Sequence, residues 1–271
     1  MKVIQKDKIK SEKIMHSFLE NERRVLLEIS HPFIVDTHYI FEDSKCAFFI
    51  MSFVQNGDIS RSLRQKGYFK ESQAKLYAAQ VTIAIGFLHQ CKIIYRDLKL
   101  ENVLLDGDGY VKLADFGMSK FLNHTDEKMK SVMGTVPYMA PEMIASSNSE
   151  YDRMVDWWAL GIMLFEMVFG MLPFDHKNQH MLFQKILKEK HVFPTEILVK
   201  KEGKLIKQSI DISDEAKDLI NKLLEKDHTK RIGRREDDYR EVINHPWFAD
   251  INLEKLIKKE IRPIYLPKFA K

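Results

Sequence analysis

The residues best suited to chemistry lie in one short segment, residues 95–102, which contains Asp97, Lys99 and Asn102. A second carboxylate, Asp115, follows Asn102 after thirteen positions. One acid can orient a hydroxyl group, while the other acid and the amide can hold magnesium bound to nucleotide phosphates. Any one of these groups alone would be weak evidence. Together and in this order they predict metal-assisted phosphoryl transfer.

The composition excludes several classes of protein. The 271 residues are 45% hydrophobic, which is enough to bury a substantial core in one or two domains. The formal net charge of +4 is too small for the dense basic face of a nucleic-acid-binding protein. The sequence has neither an apolar run long enough to span a bilayer nor a signal-peptide pattern. Cys46 and Cys91 match no zinc or redox spacing, so we expect buried, reduced thiols and a cytoplasmic location.

The elements that must position these groups begin with alternating strand and helix patterns. The predicted elements are a strand end at 3–4, a helix at 11–29, and strands at 33–41 and 47–53. Apolar residues at spacings of three and four between 74 and 88 then predict a long helix that is buried along one stripe.

Short strands flank the chemical segment on its C-terminal side. They are predicted at 103–105 and 110–113, on either side of a turn, so Asp115 directly follows a strand. Residues 154–169 are apolar nearly all round and predict the central helix of the core. Residues 200–204 break the pattern and predict a solvated loop, with a basic docking patch as the alternative.

The motifs together resemble the catalytic domain of eukaryotic protein kinases, specifically the AGC group that includes protein kinases B and C. The resemblance rests on residues 95–102, Asp115-Phe116-Gly117, Ala140-Pro141-Glu142 and residues 155–161. Tyr95, where most kinases have histidine, is typical of this group. The resemblance runs from Lys2 to about Pro267.

The resemblance implies an α+β, two-lobed fold. Residues 1–53 would form a truncated small lobe that starts at its third strand, 54–248 a mainly helical large lobe, and 249–271 the start of an AGC-type tail. The family's glycine-rich loop lies upstream of the position of Lys2, and these residues do not include it. We therefore expect weak activity from the isolated chain.

The resemblance also implies roles for the chemical residues. Asp97 matches the catalytic aspartate that accepts the proton of the substrate hydroxyl. Lys99 matches the residue that neutralises charge on the transferring phosphoryl group, and lysine here implies serine or threonine substrates. Asn102 and Asp115 match the two magnesium ligands.

A nucleotide site is implied in the same way. Its expected residues are Lys2, Glu22, Met51, Ser52, Val54, Asp58, Glu101, Asn102, Leu104 and Asp115. Lys2 would contact the phosphates and pair with Glu22, with Glu20 as the alternative. Two residues along a helix turn a side chain by about 200°, so only one of these acids can face Lys2. Met51 would gate the back of the pocket, and residues 52–54 would hold adenine through their backbone.

Peptide substrates would meet an acidic surface. Asp58, Glu101 and Glu166 match acids that receive arginines upstream of the target hydroxyl, which favours basic peptides; solvated surface acids are the alternative. Thr135 matches the threonine that contacts the catalytic Asp and Lys.

Regulatory and scaffold residues complete the resemblance. Ser131 matches the group's activating phosphorylation site, which an upstream kinase would modify, and its phosphate could pair with Arg96 and Lys120. An unmodified loop serine is the alternative. Three further expectations are a Glu142–Arg231 pair, Asp156 hydrogen-bonded to the catalytic loop backbone, and Thr37 in place of a usual core leucine.

The sequence thus predicts ATP-dependent phosphorylation of serine or threonine in protein substrates, with ATP and Mg²⁺ required. The alternative is a pseudokinase or regulatory fragment that acts as a protein-binding module.

Overall fold

The computed structural model describes residues 1–6, 12–124, 127–130, 133–146, 150–201, 204–235 and 238–263, without the side chains of 12–18, 200, 201 and 204. Its strands are β1 (Lys2–Gln5), β2 (Thr37–Glu42), β3 (Cys46–Met51), β4 (Ile93–Ile94), β5 (Val103–Leu105), β6 (Val111–Leu113), β7 (Lys120–Phe121), β8 (Glu196–Lys201) and β9 (Lys204–Ser209). Its helices are α1 (Glu12–Glu28), α2 (Ile59–Lys66), α3 (Glu71–Gln90), α4 (Pro141–Ile144), α5 (Met154–Phe169), α6 (Gln179–Lys188), α7 (Asp214–Leu223), α8 (Tyr239–Ile243) and α9 (Leu253–Ile257).

The strands β1, β2 and β3 form an antiparallel sheet, and helix α1 lies between β1 and β2 in the sequence. The strand order is β1-β3-β2, and Lys2 lies opposite Phe49 in the register. The central strand buries Ala47 and Phe49, whereas the edge strand β2 exposes Tyr39 and Phe41. This sheet fixes Lys2 at the start of an edge strand.

Two long helices form the centre of the remaining chain. α5 is buried on nearly every face, as its composition predicts. α3 is also buried nearly all round, so the prediction of a single buried stripe is wrong. Polar α3 residues such as Gln80 and Thr82 tolerate this burial because each hydrogen-bonds a carbonyl one turn earlier.

Short strand pairs hold the chemical segment. β4 pairs with β7, and β5 pairs with β6. Residues 95–102 run between β4 and β5, while Asp115 follows β6. The two ends of this segment and the second carboxylate are therefore anchored by the same pair of small sheets.

The predicted strand 33–41 begins later than expected, at Thr37. Phe33 and Val35 instead bond to the far end of β6: the Val35 N–H donates to the Leu113 carbonyl, and the Leu113 N–H donates to that of Phe33. Phe33 and Val35 are buried there. Phe33 and Val35 are thus apolar because they pack beside β6, and not because they belong to β2.

The solvated loop predicted at 200–204 is wrong at both its ends. Residues 200 and 201 end β8, and residue 204 begins β9, so they belong to an antiparallel hairpin. Ile197 and Val199 are buried on one face of it, while Leu198 is exposed on the other.

The remaining expectations have mixed outcomes. The α+β fold class is confirmed, whereas the boundaries at residues 53 and 248 stay predictions. Cys46 and Cys91 are free but only half-buried, so the expected full burial is wrong. Among the described residues, none of the helices is both long enough and apolar enough to cross a bilayer.

Candidate active site

Asp97 is the centre of a dense hydrogen-bond network. Its Oδ1 accepts the Thr135 hydroxyl at 2.8 Å, and its Oδ2 accepts Lys99 Nζ at 2.8 Å. Lys99 Nζ also donates to Thr135 Oγ1 at 2.8 Å. The Asn102 amide donates to Asp97 Oδ2 and to the Asp97 carbonyl, both at 2.9 Å. The structure therefore brings together the carboxylate, ammonium, amide and hydroxyl that the sequence predicted.

Asp156 holds the backbone that carries this network. Its two carboxylate oxygens accept the N–H groups of Tyr95 at 2.9 Å and Arg96 at 2.8 Å, as predicted. Arg96 has φ 66°, a left-handed conformation that is uncommon for a non-glycine residue. Asp156 thus stabilises a backbone bend that local preference alone would not favour.

Lys2 joins the small sheet to the chemical segment. Its Nζ lies 2.6 Å from Glu22 Oε1 and 2.8 Å from Asp115 Oδ1. Glu22 is buried, whereas the alternative, Glu20, is exposed. Burial by itself would lower the pKa of Lys2, but the two carboxylates raise it above its ordinary value. Lys2 is therefore a firmly charged ammonium group.

Asp115 faces the same space. Its φ is 59°, another left-handed position, and Gly117 donates its N–H to Oδ1. Phe116 is buried edge-to-face against Tyr95, which fixes the orientation of the segment. Burial would raise the pKa of Asp115, but Lys2 lowers it below its ordinary value. The carboxylate is thus ionised at neutral pH.

The donor set of Asn102 and Asp115 fits magnesium. The Asn102 amide nitrogen is directed at Asp97, which leaves the amide oxygen as its ligand atom, and Asp115 supplies a half-exposed carboxylate. Both are the hard oxygen ligands that Mg²⁺ prefers, completed by water and substrate phosphates. Within the described ranges, no group of three or more His, Cys, Asp or Glu forms a metal cage, and a phosphate-bound Mg²⁺ needs none.

The residues predicted to hold the adenine lie at the end of β3. Met51 is its last residue and lies opposite Thr37. The Ser52 N–H donates to the Asp36 carbonyl at 2.9 Å, so this group is already used within the fold. Val54 and Leu104 are half-buried. A base bound here would therefore meet the other backbone groups of residues 52–54 rather than the Ser52 N–H.

The three predicted substrate acids differ in environment. Asp58 caps α2 by accepting the N–H of Arg61 at 2.7 Å. Glu101 is exposed and accepts the Ser60 hydroxyl at 3.2 Å. Glu166 is half-buried and accepts the hydroxyl of Tyr138. Burial and the nearby Glu101 raise the pKa of Glu166.

The predicted phosphorylation site, Ser131, lies outside the described residues. Of the cations expected to meet its phosphate, Arg96 donates to the carbonyls of Met118 and Ser119, and Lys120 pairs with Glu127 at 3.0 Å. The predicted Glu142–Arg231 pair is confirmed as a buried bidentate contact, with distances of 2.6 and 2.9 Å.

Two features of the site were missed from the sequence. His89 is buried between Asp156 at 2.9 Å and Asp238 at 2.8 Å, and so supports the acid that holds the catalytic loop. Its only signal was a polar residue inside the apolar run of α3. The second feature is an arginine, Arg64, whose Nη1 donates to Ser60 next to Glu101. Its spacing of four from Ser60 on α2 was the available signal.

Comparison with known proteins agrees with this geometry. The protein kinase domain family matches residues 1–248. The chain is 39% identical over 267 residues to a probable serine/threonine-protein kinase of Dictyostelium discoideum, covering 98% of this chain and 54% of that protein. It is 37% identical to the RAC serine/threonine-protein kinase of Drosophila melanogaster, covering 99% of this chain and 41% of the relative. It is also 37% identical to the serine/threonine-protein kinase Sgk1 of Xenopus tropicalis, covering 100% and 60%.

The chain spans about half the length of the curated relatives it matches. The resemblance to AGC-type kinases, found first in residues 95–102, is confirmed by these relatives. The family match covers more than nine-tenths of the chain, including every residue of the network around Asp97 and Asp115. This chain therefore belongs to the protein kinase domain family.

Proposed function

We propose that this chain transfers the terminal phosphoryl group of ATP to serine or threonine hydroxyls in proteins. The observation that carries the proposal is the network in which Asp97 lies within hydrogen-bond distance of Lys99, Asn102 and Thr135. The names of the relatives, all serine/threonine-protein kinases, support the same reaction. No observation favours the alternative of a pseudokinase or binding module.

Asp97 would act on the substrate hydroxyl. Its Oδ1 has a second lone-pair direction besides the one used by Thr135, so it can accept a hydrogen bond from the incoming hydroxyl and then its proton. Lys99 would stay protonated and stabilise charge on the group in transfer. In this chemistry, positioning and electrostatics supply most of the catalysis.

The nucleotide would be bound by groups on both sides of the cleft. Lys2 would contact the phosphates, and Asn102 and Asp115 would hold magnesium, which when bound neutralises charge on the phosphate oxygens. The residues predicted around the base are Met51, Val54 and Leu104.

The substrate class would be basic peptides. Glu101 and Glu166 lie close enough for Glu101 to raise the pKa of Glu166, so two carboxylates face one region and favour a cation there. Activation would involve phosphorylation of Ser131 by an upstream kinase. Two free cysteines support a reducing, cytoplasmic compartment.

The test is a magnesium–ATP assay on a basic peptide with the full chain and three variants. Asp97→Asn and Asp115→Ala should each lower kcat/KM by at least about 100-fold. Asp250→Asn is the matched control, because this exposed acid pairs only with Lys75 in the structure's described part and should leave the rate unchanged.

Nucleotide binding separates the two roles. Asp115→Ala should weaken magnesium-dependent ATP binding, whereas Asp97→Asn should leave it within about twofold. Equal phosphate transfer by the parent chain, Asp97→Asn and Asp115→Ala would contradict the assignment of this site.

A further inference from the structure

An arginine of the chain itself lies beside the acids that were predicted to recognise the substrate. Arg64 is in the last turn of α2, and its Nη1 donates to Ser60 Oγ at 2.5 Å. Ser60 Oγ in turn donates to Glu101 Oε1 at 3.2 Å. Ser60 is buried, whereas Arg64 and Glu101 are exposed, so only the middle of this link is shielded from competing water. The guanidinium is therefore one hydroxyl group away from Glu101.

The same guanidinium acts on the second acid. Burial raises the pKa of Glu166, Glu101 raises it further, and Arg64 lowers it. The Tyr138 hydroxyl donates to Glu166 and fixes its side chain in place. Glu101 and Glu166 thus repel each other, and Arg64 is a cation built into the fold that offsets the repulsion.

We propose that Arg64 is a specificity-determining residue that screens the Glu101–Glu166 pair and competes with a basic side chain of the substrate. A peptide arginine must share or displace a guanidinium already held by Ser60. The proposal rests on the proposed kinase function, since it concerns how the same site selects peptides. It means that selectivity for a basic residue is weaker than the two carboxylates alone would give.

The arrangement is specific to the position of Arg64 on its helix. Ser60 and Arg64 are four residues apart, which places them one above the other on the same face of α2. Asp58 caps this helix, and the hydrogen bond from Ser60 to Glu101 shows that the face carrying both residues lies toward Glu101. Charge at this position, rather than charge on the protein as a whole, should set the selectivity.

The experiment compares two peptides that differ at a single position on the N-terminal side of the target serine, where one has arginine and the other has alanine. The ratio of their kcat/KM values should rise by roughly three- to tenfold in Arg64→Gln, mainly through a lower KM for the arginine peptide. Arg64→Lys keeps the charge and should retain a ratio close to that of the parent chain. Arg64→Met is a second neutral variant, in case the glutamine variant does not fold.

Two controls isolate the effect. Arg235→Gln removes the same charge from an exposed arginine that lies 3.5 Å from Glu241, and should leave the ratio unchanged. In a Glu166→Gln background, Arg64→Gln should lose most of its effect, because the carboxylate that it screens is gone. An unchanged or lower ratio in a folded neutral variant would overturn the proposal, as would an equal rise in Arg235→Gln.

A binding measurement keeps this proposal separate from the kinase function. Both peptides, with alanine in place of the target serine, are titrated into the same variants and followed by fluorescence anisotropy. Suppose that Arg64→Gln raises the ratio of the affinities for the arginine and alanine peptides, but the chain transfers no phosphate. This result would support the role of Arg64 and contradict only the proposed kinase function. An unchanged affinity ratio in active variants would do the reverse.

Discussion

Because of the buried His89, the free energy of unfolding of this chain should decrease as the pH rises into the alkaline range. Its two ring nitrogens lie 2.9 Å from Asp156 and 2.8 Å from Asp238. A neutral imidazole has one N–H, so it can satisfy only one of these carboxylates, whereas the imidazolium satisfies both. Burial alone would lower the pKa of His89, but the two acids raise it to about 9. The folded chain therefore holds this proton far more tightly than the unfolded chain.

The magnitude follows from the pKa. Its rise from 6.5 to about 9 corresponds to ~3 kcal/mol of the free energy of unfolding, at about 1.4 kcal/mol for each tenfold change in proton affinity. Because the folded pKa is the higher one, this contribution is fully present below pH 6.5. It is lost as the pH rises through 9.

Asp238→Asn is the variant that tests this. Asparagine can still accept the hydrogen bond that Trp157 Nε1 donates at 2.6 Å, and its side chain has nearly the same size and shape as that of aspartate. The free energy of unfolding at pH 6.5 should fall by up to ~3 kcal/mol. The loss cannot exceed this value, because His89 can release its proton instead of staying charged with one carboxylate partner fewer. Urea unfolding should show the gap between the parent chain and the variant narrowing as the pH rises to about 10.

Two results would refute this reasoning. One is a stability gap between the parent chain and Asp238→Asn that stays constant from pH 6.5 to pH 10. The other is an NMR titration, assigned with a His89→Gln spectrum, in which the His89 ring loses its proton below about pH 7. The variant also loses the 3.4 Å contact of Arg153 with Asp238, so the change of the stability gap with pH, rather than its absolute size, tests the role of His89.

Two further predictions concern buried polar groups. Arg231→Met should lower the free energy of unfolding by about 3–5 kcal/mol, because it leaves Glu142 buried without its bidentate partner. The double variant Arg231→Met, Glu142→Leu should recover much of this loss when both proteins are unfolded by heat. No recovery in the double variant would contradict the ion-pair explanation. Thr37→Val should raise the free energy of unfolding by about 1 kcal/mol, because Thr37 Oγ1 is buried with no hydrogen-bond partner among the described residues, whereas Thr37→Ser, which keeps the hydroxyl and loses the methyl group, should lower it.

The arrangement of the active site could be predicted because its residues lie in motifs that resemble those of the protein kinase family. Helix rotation shows that only one of Glu20 and Glu22 can face Lys2, and the resemblance to the kinase family selected Glu22, which the structure pairs with Lys2. Asp97, Lys99 and Asn102 share one short loop between two strands, whereas Thr135, 38 positions from Asp97, was placed beside them by the resemblance. Spacing thus accounts for the local part of the site, and the motif resemblance accounts for the part that joins distant segments.

Distant partners that no motif carries could not be predicted in this way. The β8–β9 hairpin rests on contacts such as the Gln208 amide to the Tyr68 hydroxyl, between residues 140 positions apart. The lysines at 200, 201 and 204 hid the alternation of Ile197, Leu198 and Val199. His89 was missed for the same reason, because its partner Asp238 is 149 positions away. A sequence pattern reports the period of burial but not the identity of a remote partner.

The charges of this chain divide into two groups by burial, and the division suits a catalyst. In the large body, Glu142–Arg231 and the His89 cluster are buried and fixed, and the latter holds the acid that shapes the catalytic backbone. In the cleft, Lys99 and Asp115 are partly exposed and are paired with Asp97 and Lys2, respectively. The partly exposed charges of the cleft can exchange their present partners for phosphate and metal. Separating a buried ion pair, in contrast, would cost too much free energy. Rigid charges therefore set the geometry, and exchangeable charges are left to do the chemistry.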